Sequence, residues 1–174
     1  MLIVFSGLPG TGKTTIAKLL ANRLRAVYLR IDTIEQAIRN ACVLVQDVGT
    51  SGYLVANELA LSNLRLGHTV VVDCVNPVSA SRNTWHATAT SAGAELLDIE
   101  VICSDTEEHR RRVETRTTDI PGLIPPTWAS VLAHDYEPWN PPPFYIDTAQ
   151  LSPDDAVSQI ISHLPSNQVQ LPLK

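Results

Sequence analysis

The sequence predicts an α/β protein: a five-stranded parallel sheet sandwiched by helices. Two observations predict it. Short apolar, β-branched runs alternate along the chain with segments of helical periodicity, and a glycine-rich turn follows directly on the first apolar run. Strands separated by helices need crossover connections, which make the strands parallel and place helices on both faces of the sheet. A chain of 174 residues fits around one core. A single domain over residues 1–165 with a C-terminal tail at 166–174 is expected.

Taken in order, "LIVFS" (2–6) reads as a short buried strand opening into the glycine turn. "GKTTIAKLLANRLR" (12–25) has the apolar spacing of a helix. "VYLRI" (27–31) is a second strand, followed by a helix from about Thr33. Residues 51–66 form a helix stopped by Gly67, and "HTVVVDC" (68–74) is apolar enough to be covered on both faces. A helix over 79–92 stops at Gly93, and "ELLDIEVIC" (95–103) is a fourth strand. A charged helix spans 106–116, a short one 128–134, and "FYIDT" (144–148) is the fifth strand. The last helix begins with Ser152 as N-cap and Pro153 at its first position.

Composition narrows the function. A formal net charge of -5 gives no overall attraction to nucleic acid or anionic lipid. Aromatic residues are 5% of the chain, and Trp85, Trp128 and Trp139 are not interleaved with basic residues as base-stacking platforms would be. These Trp residues are expected in core or lid packing. Cys42, Cys74 and Cys103 are odd in number without CxxC spacing, which fits buried thiols in a reducing compartment. "MLIVF" is short for a signal-peptide core, and no apolar run reaches membrane-spanning length. A cytoplasmic location without membrane contact is expected.

The glycine turn carries the strongest chemical signal. "GLPGTGKTT" (7–15) fits G-x-x-x-x-G-K-[ST] at Gly7, Gly12, Lys13 and Thr14. Glycines let the backbone wrap with amides inward, and the following helix adds its positive dipole end. Pro9, Gly10, Thr11, Gly12, Lys13, Thr14 and Thr15 are therefore expected to cup a nucleoside triphosphate. Lys13 would meet the β- and γ-phosphates and Thr14 a Mg²⁺ ion. The chain has no "NK" for a guanine reader, and in "VVVDC" Cys74 stands where motor-type ATPases place a water-activating Glu. An acceptor other than water is expected.

Asp32, after the second strand, is placed to orient or deprotonate an acceptor hydroxyl, and equally to cap the helix starting at Thr33. Asp73 could hold Mg²⁺ through water or contact the acceptor, or simply solubilise a strand end. Arg112 and Arg116 are one turn apart, on a face that could swing over the triphosphate as a lid. Glu108, four residues before Arg112, supports the alternative of a salt-paired solvated helix. Arg39, seven residues after Asp32, could meet an anionic substrate. The acceptor pocket is expected from segments 40–60 and 118–143.

Together, "GLPGTGKTT", "YLRIDTIEQAIR", "VVVDCVNPVSASRNTW" and "HRRRVETR" resemble the P-loop kinases that include the kinase domain of polynucleotide kinases. Gluconate kinases, adenylylsulfate kinases and chloramphenicol phosphotransferase are relatives of that group. The likeness covers about residues 1–118. Asp73–x–x–Asn76–Pro77 followed by Ser81–Arg82 is similar to the D-x-T-N-P…S-R element of polynucleotide kinases. The resemblance implies a parallel sheet with a short Arg-rich lid, ATP–Mg²⁺ as donor, Asp32 facing the acceptor hydroxyl and Asn76 beside the substrate. Glu35 stands where phage-type polynucleotide kinases carry a substrate-binding Arg, and Val75 replaces the usual Thr. Both departures argue against a nucleic-acid acceptor. The leading expectation is an ATP-dependent phosphotransferase acting on a small-molecule hydroxyl. The alternatives are a 5′-hydroxyl polynucleotide kinase and an ATP-binding module without transferase activity.

Overall fold

The structure, a computed structural model, describes residues 1–42 and 47–165; the tail expected at 166–174 lies outside the described residues. The chain order is β1 (Leu2–Ser6), α1 (Lys13–Leu24), β2 (Val27–Arg30), α2 (Ile31–Asn40), α3 (Ser51–Arg65), β3 (Val70–Asp73) and α4 (Ser79–Ala92). It continues with β4 (Leu96–Ile102), α5 (Thr106–Thr115), α6 (Trp128–Leu132), β5 (Phe144–Asp147) and α7 (Pro153–His163). The five strands form one parallel sheet in the order β2-β3-β1-β4-β5. The chain leaves β1 at the middle of this sheet, where the strand order reverses, and such a switch point opens a crevice beyond the carboxyl ends of the strands.

Successive side chains of a strand point to opposite faces, so β1 is shared between two cores. Ile3 and Phe5 pack with Ile16 and Leu20 of α1 and with Val157 and Ile160 of α7. Leu2 and Val4 pack on the other face with Ala56, Ala60, Trp85 and Ala89 of α3 and α4. Continuous apolar strands therefore follow from cover on both sides. Trp85 is fully buried, as expected for core packing. Among the described residues, no helix is long and apolar enough to cross a membrane.

Two helix boundaries differ from expectation in ways that matter for the site. α2 starts at Ile31, two residues early, because the Ile31 side chain is buried in the α3–α4 core and pins the chain as it leaves β2. Asp32 is therefore in the first helical turn and is not the N-cap; Arg30 holds that position without a side-chain cap. α5 ends at Thr115, so Arg116, in an extended conformation, does not continue the face of Arg112.

Candidate active site

The glycine loop joins β1 to α1 at the crevice. A Cβ on Gly10 would stand 2.4 Å from Cγ2 of Val113, so α5 lies directly on the loop. That contact is sutured twice. His109, buried on α5, donates from Nε2 to the Pro9 carbonyl at 2.8 Å and meets Trp128 edge-on. Arg112 donates to the Thr148 hydroxyl at 2.8 Å and to the Thr148 carbonyl at 3.2 Å; the same hydroxyl donates to the Thr11 carbonyl at 2.8 Å. Among the described residues, no protein acceptor takes the amides of Gly12, Lys13 or Thr14, at the positive end of α1. This is the arrangement that binds anions.

Lys13 is 8% exposed and donates to the Leu8 carbonyl at 3.2 Å. Burial pulls its pKa down from the usual lysine value, against the attraction of Asp73 and Asp32. The loop forms one end of a cleft of about 960 Å³, ample for a nucleotide and a small second ligand. Pro9, Gly10, Gly12, Lys13, Thr14 and Thr15 line it, as do Asp32, Arg112 and Arg116. Asp119, Leu123, Ile124 and Pro126 line it too.

A charge network spans the mouth. Arg30, with its side chain 4% exposed, donates from Nη1 to Asp119 at 2.7 Å and from Nη2 to Asp32 at 3.5 Å; its Nε lies 3.7 Å from Asp73. Lys18 of α1 also pairs with Asp119. These two cations hold the Asp119 carboxyl well below the usual carboxylate range. Asp73 accepts a 2.8 Å hydrogen bond from the Tyr28 hydroxyl, and burial of that phenol beside the carboxylate raises its pKa strongly.

A family model described as "AAA domain" matches residues 2–121, more than half of the chain and including the glycine loop, Asp32 and all of α5. The chain belongs to the P-loop kinase family. A Pyrococcus abyssi relative of this family, which carries the provisional name adenylate kinase, is 30% identical over 140 residues, covering 68% of this chain and 76% of the relative. A solved Chloroflexus aurantiacus protein, provisionally named a kinase, superposes with a TM-score of 0.75 at 21% identity, covering 94% of this chain and 98% of the other. The Mycobacterium tuberculosis APS kinase, solved with AMPPNP and APS, superposes with a TM-score of 0.67 at 19% identity, over 92% and 95% of the two chains. These two solved structures establish the fold. The family supports nucleotide binding and a kinase-like enzyme.

Several residues singled out in the sequence of this P-loop kinase-family protein do not reach the cleft. Asn76 is fully buried. Its amide group donates to Ser6 at 3.0 Å and accepts from Ser81 at 2.8 Å, and its backbone N–H donates to the Tyr53 hydroxyl. With φ at 51°, Asn76 is a turn residue that locks the end of β3. Asp73 is 3% exposed and does not line the wall. Arg39 lies outside the wall and pairs with Glu35 and Asp47. Arg112, which does line the cleft, is tied to Glu108 at 2.7 Å as well as to Thr148 and so braces the loop. Thr11, at 3% exposure, supports the loop from behind. Of the acceptor-pocket segments, 118–143 contributes to the wall, whereas no described residue of 40–60 does.

The Ser81–Arg82 element serves the scaffold. Arg82 donates to the carbonyls of Asn76, Pro77, Glu137 and Pro138 and stacks on Trp139 at 4.0 Å. It thereby fastens the "EPWNPPP" loop to α4. Arg82→Met removes every one of these bonds while keeping much of the volume. A stability loss of about 3 kcal/mol is expected by urea denaturation; a loss under about 0.5 kcal/mol would count against this clamp.

Arg30, Lys18, Asp119, His109 and Thr148 were not singled out from the sequence. A signal existed only for Arg30, the one charged residue of an otherwise apolar strand.

Proposed function

We propose that this protein transfers the γ-phosphoryl group of ATP to a hydroxyl of a small molecule seated beside Asp32. The observation that carries the reading is the sharing of one cleft by Lys13 and Asp32, close enough that the carboxylate opposes the fall in the lysine pKa. The acceptor oxygen attacks the γ-phosphorus, the bond to the β–γ bridging oxygen breaks, and the hydroxyl proton passes to the Asp32 carboxylate, leaving ADP. Lys13 and the loop amides stabilise charge on the phosphates, and Arg116 lies on the same wall. The charge of Arg116 is felt at Lys13, which fits a guanidinium directed at the triphosphate.

Mg²⁺ supplies further charge neutralisation when bound. Thr14, on the cleft wall, fits as its ligand. Asp73, engaged by Tyr28 and facing Arg30, fits only through a water. Hydrolysis has little support: Cys74 is 2% exposed, its thiol donates to the Phe5 carbonyl, and burial raises its pKa.

The test is transfer from γ-labelled ATP to a panel of hydroxyl compounds. Asp32→Asn is expected to lower kcat about a hundredfold with the KM for ATP unchanged. A second acceptor class, a nucleoside monophosphate, is favoured by the name of the archaeal relative. A phosphate oxygen has no proton to lose, so activity with AMP that is insensitive to Asp32→Asn would select this class.

A further inference from the structure

Arg30 and Lys18 are not explained by ATP binding or by proton removal. Arg30 is almost completely buried, yet its guanidinium is poorly satisfied. Nη1 makes the single short bond, Nη2 reaches Asp32 only at 3.5 Å, and Nε has no hydrogen-bond partner among the described residues. Burying such a group is expensive unless its donors find acceptors. Its one close partner, Asp119, is open to solvent. The Asp119 side chain is 54% exposed, and it sits in the turn-rich "TTDIPG" stretch, where buried Ile120 anchors the backbone. Rotation of the Asp119 side chain would break its bonds to both Arg30 and Lys18.

Asp119 is the carboxylate that Lys18 and Arg30 share. Asp32 and Asp73 lie at longer range from Arg30. With Asp119 turned away, Lys18 loses its carboxylate and the Arg30 fork opens to the cleft. A planar guanidinium beside an ammonium is a receptor for a carboxylate or a tetrahedral oxyanion. Both cations line the same cleft as Asp32.

Resting on the proposed hydroxyl-kinase reading, we propose that the acceptor carries, close to its hydroxyl, an anionic group (carboxylate, phosphate or sulfate) that binds Arg30 and Lys18 in exchange for Asp119. The Asp119 carboxylate is a built-in stand-in for that group. Because Nη2 of Arg30 faces Asp32, an anion docked on this fork places a neighbouring hydroxyl at the base. The exchange also selects substrates, since a neutral acceptor offers Arg30 and Lys18 no charge in place of Asp119.

The experiment uses the full chain loaded with ADP and Mg²⁺, so that the glycine loop is filled. Inorganic sulfate and acetate are then titrated separately by calorimetry, as probes of the tetrahedral and carboxylate chemistries. Asp119→Asn is expected to tighten binding of at least one probe about tenfold, because it removes the competing carboxylate. Adding Lys18→Met to that variant is expected to abolish the gain. Both positions are about half exposed, so these variants keep the fold. Whichever probe gains identifies the chemistry of the acceptor group. Equal affinities for parent and Asp119→Asn, or a gain that survives Lys18→Met, would overturn the subsite. Loading with ADP reads the nucleotide site independently, and the transfer assay reads the kinase activity, so failure of either is distinguishable from failure of the anion site.

Discussion

Lys13→Met is expected to lower phosphoryl transfer about a thousandfold while leaving folding stability within about 1 kcal/mol of the parent. The two halves of this expectation have one cause. Lys13 is buried on the wall of the cleft, and the loss of water there pulls its pKa down. A cation in so dry a position interacts strongly with phosphate charge, which is why its removal is costly for transfer. Holding that charge without a nucleotide is unfavourable for the fold. Methionine of similar length relieves the desolvation, and Asp73 keeps Tyr28 and Arg30 as partners. Urea denaturation and transfer from γ-labelled ATP check the two halves separately. A variant that transfers at the parental rate would remove Lys13 from the chemistry, and one that unfolds would assign it to the scaffold.

Gly7→Ala is expected to lose about 4 kcal/mol of stability, a large fraction of what a domain of this size possesses. A Cβ at this position would stand 2.2 Å from the carbonyl oxygen of Val101, a backbone atom in β4 that cannot turn aside. The φ of Gly7 is 135°, a value that L side chains rarely adopt. Both terms act at the point where the loop leaves the central strand, so nucleotide affinity is expected to fall together with the denaturation midpoint. An unchanged midpoint would show that β4 yields and that the loop is not clamped against it.

The glycine loop was legible in the sequence because it is local. Gly7, Gly12, Lys13 and Thr14 are neighbours in the chain, and their spacing alone sets where amides and ammonium converge. Strand and helix alternation was legible for the same reason. The ends of α2 and α5 were less so: burial of Ile31 moved one start, and Arg116 turned out of the other helix. Asn76 shows the limit of a motif. Its residue type suits a ligand contact or a locked turn equally, and the bonds to Ser6, Ser81 and Tyr53 that lock the turn come only from the fold.

The sequence by itself determined a doubly covered parallel sheet and a phosphate-binding loop, with Asp32 near its mouth. The tertiary structure alone decided which charges face one another there. Asp119 meets Arg30 across 89 positions of chain and Lys18 across 101, and Thr148 reaches Thr11 across 137. Pairings over such separations depend on the order in which strands assemble in the sheet. No periodicity or spacing along the chain encodes that order, because parallel neighbours are joined by long crossovers that leave their partners open until the sheet forms.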